Sequence, residues 1–474
     1  MARTKIWKVM LAVLEPVSTD GARARAVRLE PLEAGPQSLR FTDRGDRTGT
    51  AAKRSPIGPL IRLRGASFAM QNIAVIGAGI TGITTAFALK NRGFGVTVFD
   101  KNRYPAMETS FANGGQLSAS NAEVWNSWST VLKGCKWLLK SDAPLLVNPS
   151  PSWRKYSWFA EFLMNIRGYA DNTTATARLA IAAREQLLRY AEAENISFDC
   201  EKRGILHFYD NRADFAHAVK VTELLRAGGL ERRAVSPSEI RALEPALTGD
   251  FYGGFYTESD FTGDIHRFTR GLADACRRKN VVFNMERSVD DLRHGKDGVT
   301  VTSTPQGETE AEQDRFDGVV ICGGVGSRDL AARVGDRVPV YPVKGYSITV
   351  NLRDEESRAA APWVSLLDDK AKIVTSRLGA DRFRVAGTAE FNGTNRDIRA
   401  DRIRPLVGWC ERLFPGMSTD SVVPWAGLRP MMPSMMPKVG AGRRPGVFYN
   451  TGHGHLGWTL SAATAELIAD RVAA

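Results

Sequence analysis

Hydrophobic positions first become regular at Ile73. Ile73 to Ile76 form a short apolar run that enters the glycine turn Gly77-x-Gly79-x-x-Gly82. A helix-period pattern follows and stops near Gly93, and a second apolar run, Val96 to Phe99, ends on Asp100. Short apolar runs bounded by glycines read as buried strands, so this stretch predicts strand, turn, helix, strand. After a loop rich in small and amide residues, a Trp-rich tract from Trp125 to Glu194 reads as helices packed on one another. Short strands are expected at GILHFY and GGFYTESD, then a helix over His266–Lys279 and strands at 281–284, Val299–Thr304 and Gly318–Cys322. Val338–Val350 and 372–391 read as strands of a second sheet. The end, GVFYNTGHGHLGWTLSAATAELIADRVAA, reads as strand, glycine-rich turn and helix.

Nucleotide-type elements thus recur at the start, middle and end, with other strands between them. The expected fold is α/β (α+β overall): a Rossmann-like cofactor domain, discontinuous over 70–198, 266–336 and 426–474. A mainly antiparallel substrate domain is inserted as 199–265 and 337–425. No internal repeat is visible.

The first turn carries chemistry. Gly77 allows the tight turn, Gly79 leaves room for a pyrophosphate, and Gly82 lets the helix sit close to the strand. The helix N-terminus offers unpaired N–H groups to phosphate, and Asp100 stands where a carboxylate can accept from ribose hydroxyls. These residues suit any dinucleotide. The segment FDGVVICGGVGS supplies a second glycine turn, Gly323-Gly324, at which backbone can approach a cofactor.

Composition changes the picture little. The chain has 474 residues and a net charge of +12, but residues 1–69 hold 13 Lys/Arg against 6 Asp/Glu. That surplus of seven sits in a segment with the composition of a disordered extension, so nucleic acid is not expected as a partner. Met70 directly precedes the first strand and is the expected start of the working protein. No run of 18 or more apolar residues predicts a membrane span. Five scattered cysteines without a CxxC pair read as free thiols in a reducing compartment. The His453-x-His455 pair lacks the further ligands a metal site needs.

Five motifs together carry a resemblance. The VIGAGITG turn with VTVFD, ETSFANGGQLS, VYPVKGYSIT, WAGLRPMMP and NTGHGHLGWT, spanning Ile73 to about Ala473, resemble the D-amino-acid oxidase superfamily of flavoproteins. Within it they look most like the bacterial D-amino-acid dehydrogenase group (small-subunit type). The resemblance implies FAD as cofactor and oxidative deamination of (D-)amino acids to 2-oxo acids and ammonia. Hydride would pass from Cα to flavin N5, and electrons onward to a quinone or another carrier. It also implies a cytoplasmic location, with peripheral association at the inner membrane left open; oligomeric state is not implied.

On that resemblance the expected cofactor contacts are Gly77, Ala78, Gly79, Ile80, Thr81, Gly82, Asp100 and Lys101. Thr109, Ser110, Asn113, Gly114 and Gln116 follow in the amide loop, then Val289, Gly323 and Gly324. Gly454, Leu456, Gly457, Trp458 and Thr459 complete the set, with the last helix starting just after Thr459 and facing the flavin ring edge. Arg429 is expected to hold the substrate carboxylate bidentately, Tyr346 to add a hydroxyl to it, and His453 and His455 to flank flavin and substrate. Loop capping is the alternative for Asn113 and Gln116, and strand packing for Tyr346. No acid or base residue is assigned. Where resembling sequences read RPMTPDG this chain reads RPMMPSMMP; Met435 and Met436 point to a bulkier or more apolar substrate side chain. Rival readings are a glycine-, sarcosine- or proline-type amine oxidase or dehydrogenase, and a non-catalytic dinucleotide-binding subunit.

Overall fold

The computed structural model describes residues 70–137 and 143–474. The basic extension expected over 1–69 lies outside the described residues. From Met70 the chain forms β1 (Asn72–Ile76), α1 (Ile80–Asn91), β2 (Gly95–Phe99) and β3 (Gln116–Leu117). A largely helical tract follows, with α2 (Trp128–Trp137), β4 (Leu145–Val147), α3 (Trp153–Met164) and α4 (Tyr169–Ala193). Next come β5 (Ile205–Tyr209), α5 (Arg212–Ala227), β6 (Arg233–Val235), α6 (Pro237–Leu243), β7 (Gly253–Thr257) and β8 (Phe261–Thr262). Helix α7 (Ile265–Arg278) precedes β9 (Val282–Asn284) and the meander β10 (Arg287–Gly295), β11 (Gly298–Pro305) and β12 (Glu312–Phe316). Then follow β13 (Gly318–Ile321), α8 (Ser327–Arg333), β14 (Tyr341–Asn351), α9 (Glu355–Ala360), β15 (Ser365–Asp368), β16 (Ile373–Leu378) and β17 (Arg382–Phe391). The chain closes with α10 (Ala400–Leu413), β18 (Val422–Met431), β19 (Lys438–Ala441), β20 (Val447–Thr451) and α11 (Gly457–Ala473).

Two sheets organise these elements. The first has six strands in the order β19-β20-β13-β1-β2-β9, parallel except for the β19 edge. Its centre is covered on both faces, which is why Ile73–Ile76 and Gly318–Ile321 are apolar at every position rather than alternating. Ile73 and Val75 pack with Phe87 of α1, Phe268 of α7 and Ile468 of α11. Ala74 and Ile76 point the other way, onto Val299 and Val301 of the meander and Leu330 of α8.

The second sheet has nine strands, ordered β18-β14-β17-β16-β15-β5-β7-β6 with β4 beside β17. Its two faces differ in chemistry. Leu206, Tyr346, Ile348, Val350, Leu366, Phe383 and Val385 form a dry face against Leu406, Trp409 and Leu413 of α10. The intervening positions include His207, Lys372, Ser376, Arg384, Gly345 and Ser347 and, through the pairing Val343↔Arg429, Arg429 itself. This polar face carries the candidate site.

Several expectations need correction. The tract read as helical from Trp125 to Glu194 contains β4, which pairs with β17 of the nine-stranded sheet. The expected boundary at 425/426 falls inside β18, so Arg429 belongs to the nine-stranded sheet. The segment between GILHFY and GGFYTESD contains α5, whose N-terminus is capped by the Asn211 side chain accepting from Asp214 N–H. The last helix begins at Gly457, so Gly457, Trp458 and Thr459 form its first turn rather than precede it.

Candidate active site

The C-terminal ends of β1 and β13 lie side by side, and both lead into glycine turns. Gly77 has φ +109°, and a Cβ there would come within 2.6 Å of the Cys322 carbonyl oxygen. A Cβ on Gly82 would stand 1.7 Å from the Gly77 carbonyl oxygen. No side chain fits either position, so the two turns and the start of α1 form one cradle of bare backbone that also takes in Gly323 and Gly324. This is the crevice at strand C-termini where α/β sheets bind nucleotides. The first-turn N–H groups of α1 have no intrahelical acceptor; that of Ile80 is met by Ser110 Oγ at 3.0 Å. Asp100 Oδ2 accepts from Ala78 N–H at 2.7 Å, and its Oδ1 accepts from the Asn102 main chain and side chain. Burial raises its pKa from the ordinary aspartate value, against the pull of these donors. Asp100 therefore braces the turn and keeps lone pairs for a further donor. Lys101 faces solvent and pairs with Glu108 at 3.2 Å. Val289 is half-buried at a β-bulge in β10, on the strand that starts where Arg287 N–H meets the Asp100 carbonyl.

The loop over 109–116 crosses the polar face of the nine-stranded sheet and is tied down along its length. Thr109 Oγ1 donates to the Leu428 carbonyl at 2.9 Å, and Ser347 Oγ to the Ala112 carbonyl at 2.7 Å. Arg384 Nη1 donates to the Asn113 carbonyl at 3.2 Å, and Ser376 Oγ to that of Gly114 at 2.7 Å. The Asn113 side chain caps its own loop, accepting from Gly115 N–H at 2.9 Å. Gln116 donates to Ser365 Oγ and the Leu366 carbonyl, leaving a buried Oε1 with no partner among the described residues. Both side chains therefore make the capping and packing contacts that were the alternative to direct cofactor contact, and only Gln116 Oε1 is left over.

Arg429 is the centre of charge. Its guanidinium lies over Gly345, where a Cβ would meet Nη2 at 2.3 Å. Nη1 donates to the Thr388 carbonyl at 2.6 Å and Nη2 to that of Gly387 at 3.4 Å. Burial pushes its pKa down to about 10. No carboxylate lies within ion-pairing distance among the described residues. A half-buried guanidinium with only carbonyl partners is left without a counter-charge, so the arrangement suits an anion.

Tyr346 does not share this position. It is on the dry face of β14, one residue out of phase with Gly345, and its hydroxyl donates to Glu390 at 2.7 Å. The expected hydroxyl contact beside Arg429 is thereby corrected: strand alternation sends Tyr346 to the far side of the sheet.

The glycine-rich turn after β20 runs against the end of β18 through a bridge between Met431 and His453. The two histidines part company there, because Gly454–Leu456 is a 3-10 turn with His453 at its N-cap, and not a strand. His453 is turned inward, its Nε2 at 3.0 Å from Thr464 Oγ1, so the expectation that it flanks the substrate is also corrected. His455 stacks on Trp125 with ring centroids 4.8 Å apart, and both its ring nitrogens are buried without partners among the described residues. Burial, with the charge of Arg429 adding, lowers its pKa to about 3, so it is a neutral imidazole. Gly454 and Leu456 complete the turn, with Leu456 buried against Ala119 and Leu460. Helix α11 starts at Gly457 without a side-chain cap. Thr459 Oγ1 reaches the Gln116 carbonyl at 3.4 Å, and Trp458 packs in the core with its Nε1 unpartnered. The N-terminus of α11 therefore adjoins the 109–116 loop.

The residues that sequence patterning missed here are Trp125, Gly345, Arg384 and Thr388. Trp125 looks like any helix-packing aromatic. The other three gain meaning only from the strand register, which brings them to one face.

The family described as "FAD dependent oxidoreductase" (DAO) matches residues 72–471. "D-amino acid dehydrogenase 3" of Mesorhizobium japonicum is 60% identical over 405 residues, 85% of this chain and 97% of that protein. "D-amino acid dehydrogenase" of Paramagnetospirillum magneticum is 40% identical over 413 residues, 85% of this chain and 95% of that protein. Among solved structures, glycine oxidase from Geobacillus kaustophilus superposes with a TM-score of 0.67 at 20% identity, covering 85% of this chain and 95% of that one. The likeness to that structure is one of fold.

Proposed function

The chain belongs to the DAO family of FAD-dependent oxidoreductases, and from that premise we propose that it oxidises D-amino acids whose carboxylate is held by Arg429. It is an enzyme, FAD is its cofactor, and its reaction is oxidative deamination of an amino acid. The single observation that carries the proposal is the half-buried guanidinium of Arg429, which has no acid partner among the described residues, with Trp125 stacked on neutral His455 in the same neighbourhood. A planar fork fixes a carboxylate bidentately and so orients the α-carbon.

The residues fit FAD. The backbone cradle of Gly77, Ala78, Gly79, Ile80, Thr81 and Gly82 suits the pyrophosphate, with Asp100 for a ribose hydroxyl. Gly323, Gly324 and the main chain of Val289 flank it. The 109–116 loop and the α11 N-terminus, which carries partial positive charge, suit the flavin end, and Gln116 Oε1 and Trp458 Nε1 are buried groups lacking partners. Lys101, paired at the surface, is the least supported member of this set. When bound, FAD supplies the acceptor for the electrons of the Cα–H bond. The chain's own part is to hold the carboxylate, exclude water around it, and keep the neighbouring imidazole neutral. In this reading the six-stranded sheet holds the cofactor and the polar face of the nine-stranded sheet holds the substrate.

D-stereochemistry is inferred from the sequence relatives, which are D-amino acid dehydrogenases. The glycine-type alternative is favoured only by fold neighbours. The substrate is an amino acid and the electrons leave through an acceptor; we infer a quinone or similar carrier, as the relatives are named dehydrogenases. No helix among the described residues is long and apolar enough to cross a membrane. Exposed Trp128 and Leu132, with Lys136, form one stripe on α2, which supports peripheral contact with a membrane surface. Sedimentation with anionic vesicles, lost in W128S/L132S, tests that contact.

Arg429→Met tests the main proposal. Its KM for D-amino acids is expected to rise at least roughly 30-fold while FAD stays bound; unchanged kinetics would remove Arg429 from the site.

A further inference from the structure

Strands β14 and β17 pair regularly from Asn351↔Arg382 to Tyr346↔Gly387, and the ladder then slips before resuming at Lys344↔Glu390. The slip leaves Thr388 and Ala389 on β17 facing Gly345 alone, a β-bulge of the kind that re-aims groups beside active sites. Three observations meet at Thr388. It has φ +61°, in the left-handed region that a β-branched residue rarely adopts. Its carbonyl accepts from Arg429 Nη1 at 2.6 Å, so the group freed from the ladder is spent on the arginine. Its Oγ1 is buried and has no hydrogen-bond partner among the described residues.

Backbone strain of this kind persists only where the surroundings enforce it, and it gathers at ligand sites. A buried hydroxyl without a partner is likewise costly unless a ligand completes it. We propose that Thr388 is part of the carboxylate-binding machinery. Its strained main chain turns a carbonyl onto Arg429, fixing the plane of the guanidinium over Gly345, and its hydroxyl is a second donor to the carboxylate held there. The inference rests on the assignment of Arg429 to the substrate carboxylate. It extends recognition of the amino acid to a residue of β17 that lies outside every motif singled out in the sequence.

The test uses three variants of the FAD-loaded enzyme, read by KM, kcat, flavin content and melting temperature. T388V keeps the branched shape and removes the hydroxyl; T388G removes both the hydroxyl and the strain; T388S keeps the hydroxyl. A lost hydrogen bond to a charged group corresponds to roughly a tenfold or greater loss of affinity. T388V and T388G are expected to raise KM about tenfold or more with kcat within about twofold. T388S is expected to stay close to the parent, and T388G to melt no lower than the parent because glycine relieves the left-handed strain. A packing role would lower the melting temperature and leave KM alone. Parent-like KM in both T388V and T388G would overturn the proposal. Should T388V not fold, T388G against T388S decides the same question. R429M run in parallel separates the two claims. If R429M raises KM and T388G does not, only the role of Thr388 fails. If R429M leaves KM unchanged, the assignment of Arg429 itself fails.

Discussion

Gly345→Ala probes the site with the smallest possible change. Gly345 is on the polar face of β14, and a Cβ there would lie 2.3 Å from Arg429 Nη2 and 2.4 Å from Cζ. A carbon–nitrogen contact settles at about 3.5 Å, so the methyl displaces the guanidinium by roughly 1.2 Å. The displaced atoms are the tip of a flexible side chain, and φ of Gly345 is outside the left-handed region, so the sheet itself is expected to survive. What does not survive is the 2.6 Å bond from Nη1 to the Thr388 carbonyl, or else the alignment of the fork with its carboxylate. A hydrogen bond to a charged group is worth about 1.5–3 kcal/mol, which corresponds to roughly a 10- to 150-fold fall in kcat/KM. The assay is steady-state oxidation of D-amino acids with an artificial electron acceptor, alongside flavin content and melting temperature. The expected result is a melting temperature close to the parent's, full flavin and the stated loss in kcat/KM. A kcat/KM within about twofold of the parent, with flavin bound, would refute the claim that the position of this guanidinium matters.

Three further outcomes follow from the same geometry. Gly82→Ala pushes a Cβ into the Gly77 carbonyl, which is backbone and has nowhere to go; the variant is expected to purify without flavin or not to fold, and a flavin-replete G82A would contradict the cradle. Truncating one member of a buried charged pair costs about 2–5 kcal/mol, so Arg429→Met is expected to lower kcat/KM by at least 30-fold (order of magnitude) while retaining flavin. His455 is held neutral, with a folded pKa of about 3 against an ordinary value of 6.5, so between those pH values the unfolded chain takes up a proton that the folded one refuses. Stability must therefore fall as pH drops through that window, by up to about 1.4 kcal/mol per pH unit from this residue. His455→Phe keeps an aromatic against Trp125 and removes the titration; denaturant unfolding between pH 6.5 and 5 should show a shallower decline, and an unchanged slope would contradict the buried neutral imidazole.

The opening βαβ unit was fully legible in the sequence because each of its jobs leaves a local mark. Buried parallel strands are apolar throughout, the turn demands glycine, and Asp100 closes the unit. The nine-stranded sheet was legible only as a set of strands. Which face each residue occupies depends on register, and a shift of one residue exchanges the faces. That is why Tyr346, two positions beyond Lys344 in an attractive motif, was expected beside Arg429 and instead donates to Glu390 on the dry side. The bulge that carries Thr388 is invisible for the same reason, since nothing in AGTAEF announces a positive φ at the threonine. His453 and His455 were expected to flank flavin and substrate together. The 3-10 turn separates them, which no spacing rule would reveal among so many glycines. Arg429 was singled out from its motif, but the feature that draws attention to it, a guanidinium without an acid among the described residues, is a property of three dimensions.

The most direct measurement is anaerobic reduction of the bound flavin by a panel of D- and L-amino acids. The account predicts that D-amino acids bleach the flavin absorbance and release one 2-oxo acid per flavin reduced. It also predicts that analogues lacking the carboxylate do not bleach it. Flavin that stays oxidised with every amino acid, or that amines without a carboxylate reduce equally well, would contradict a site built around Arg429.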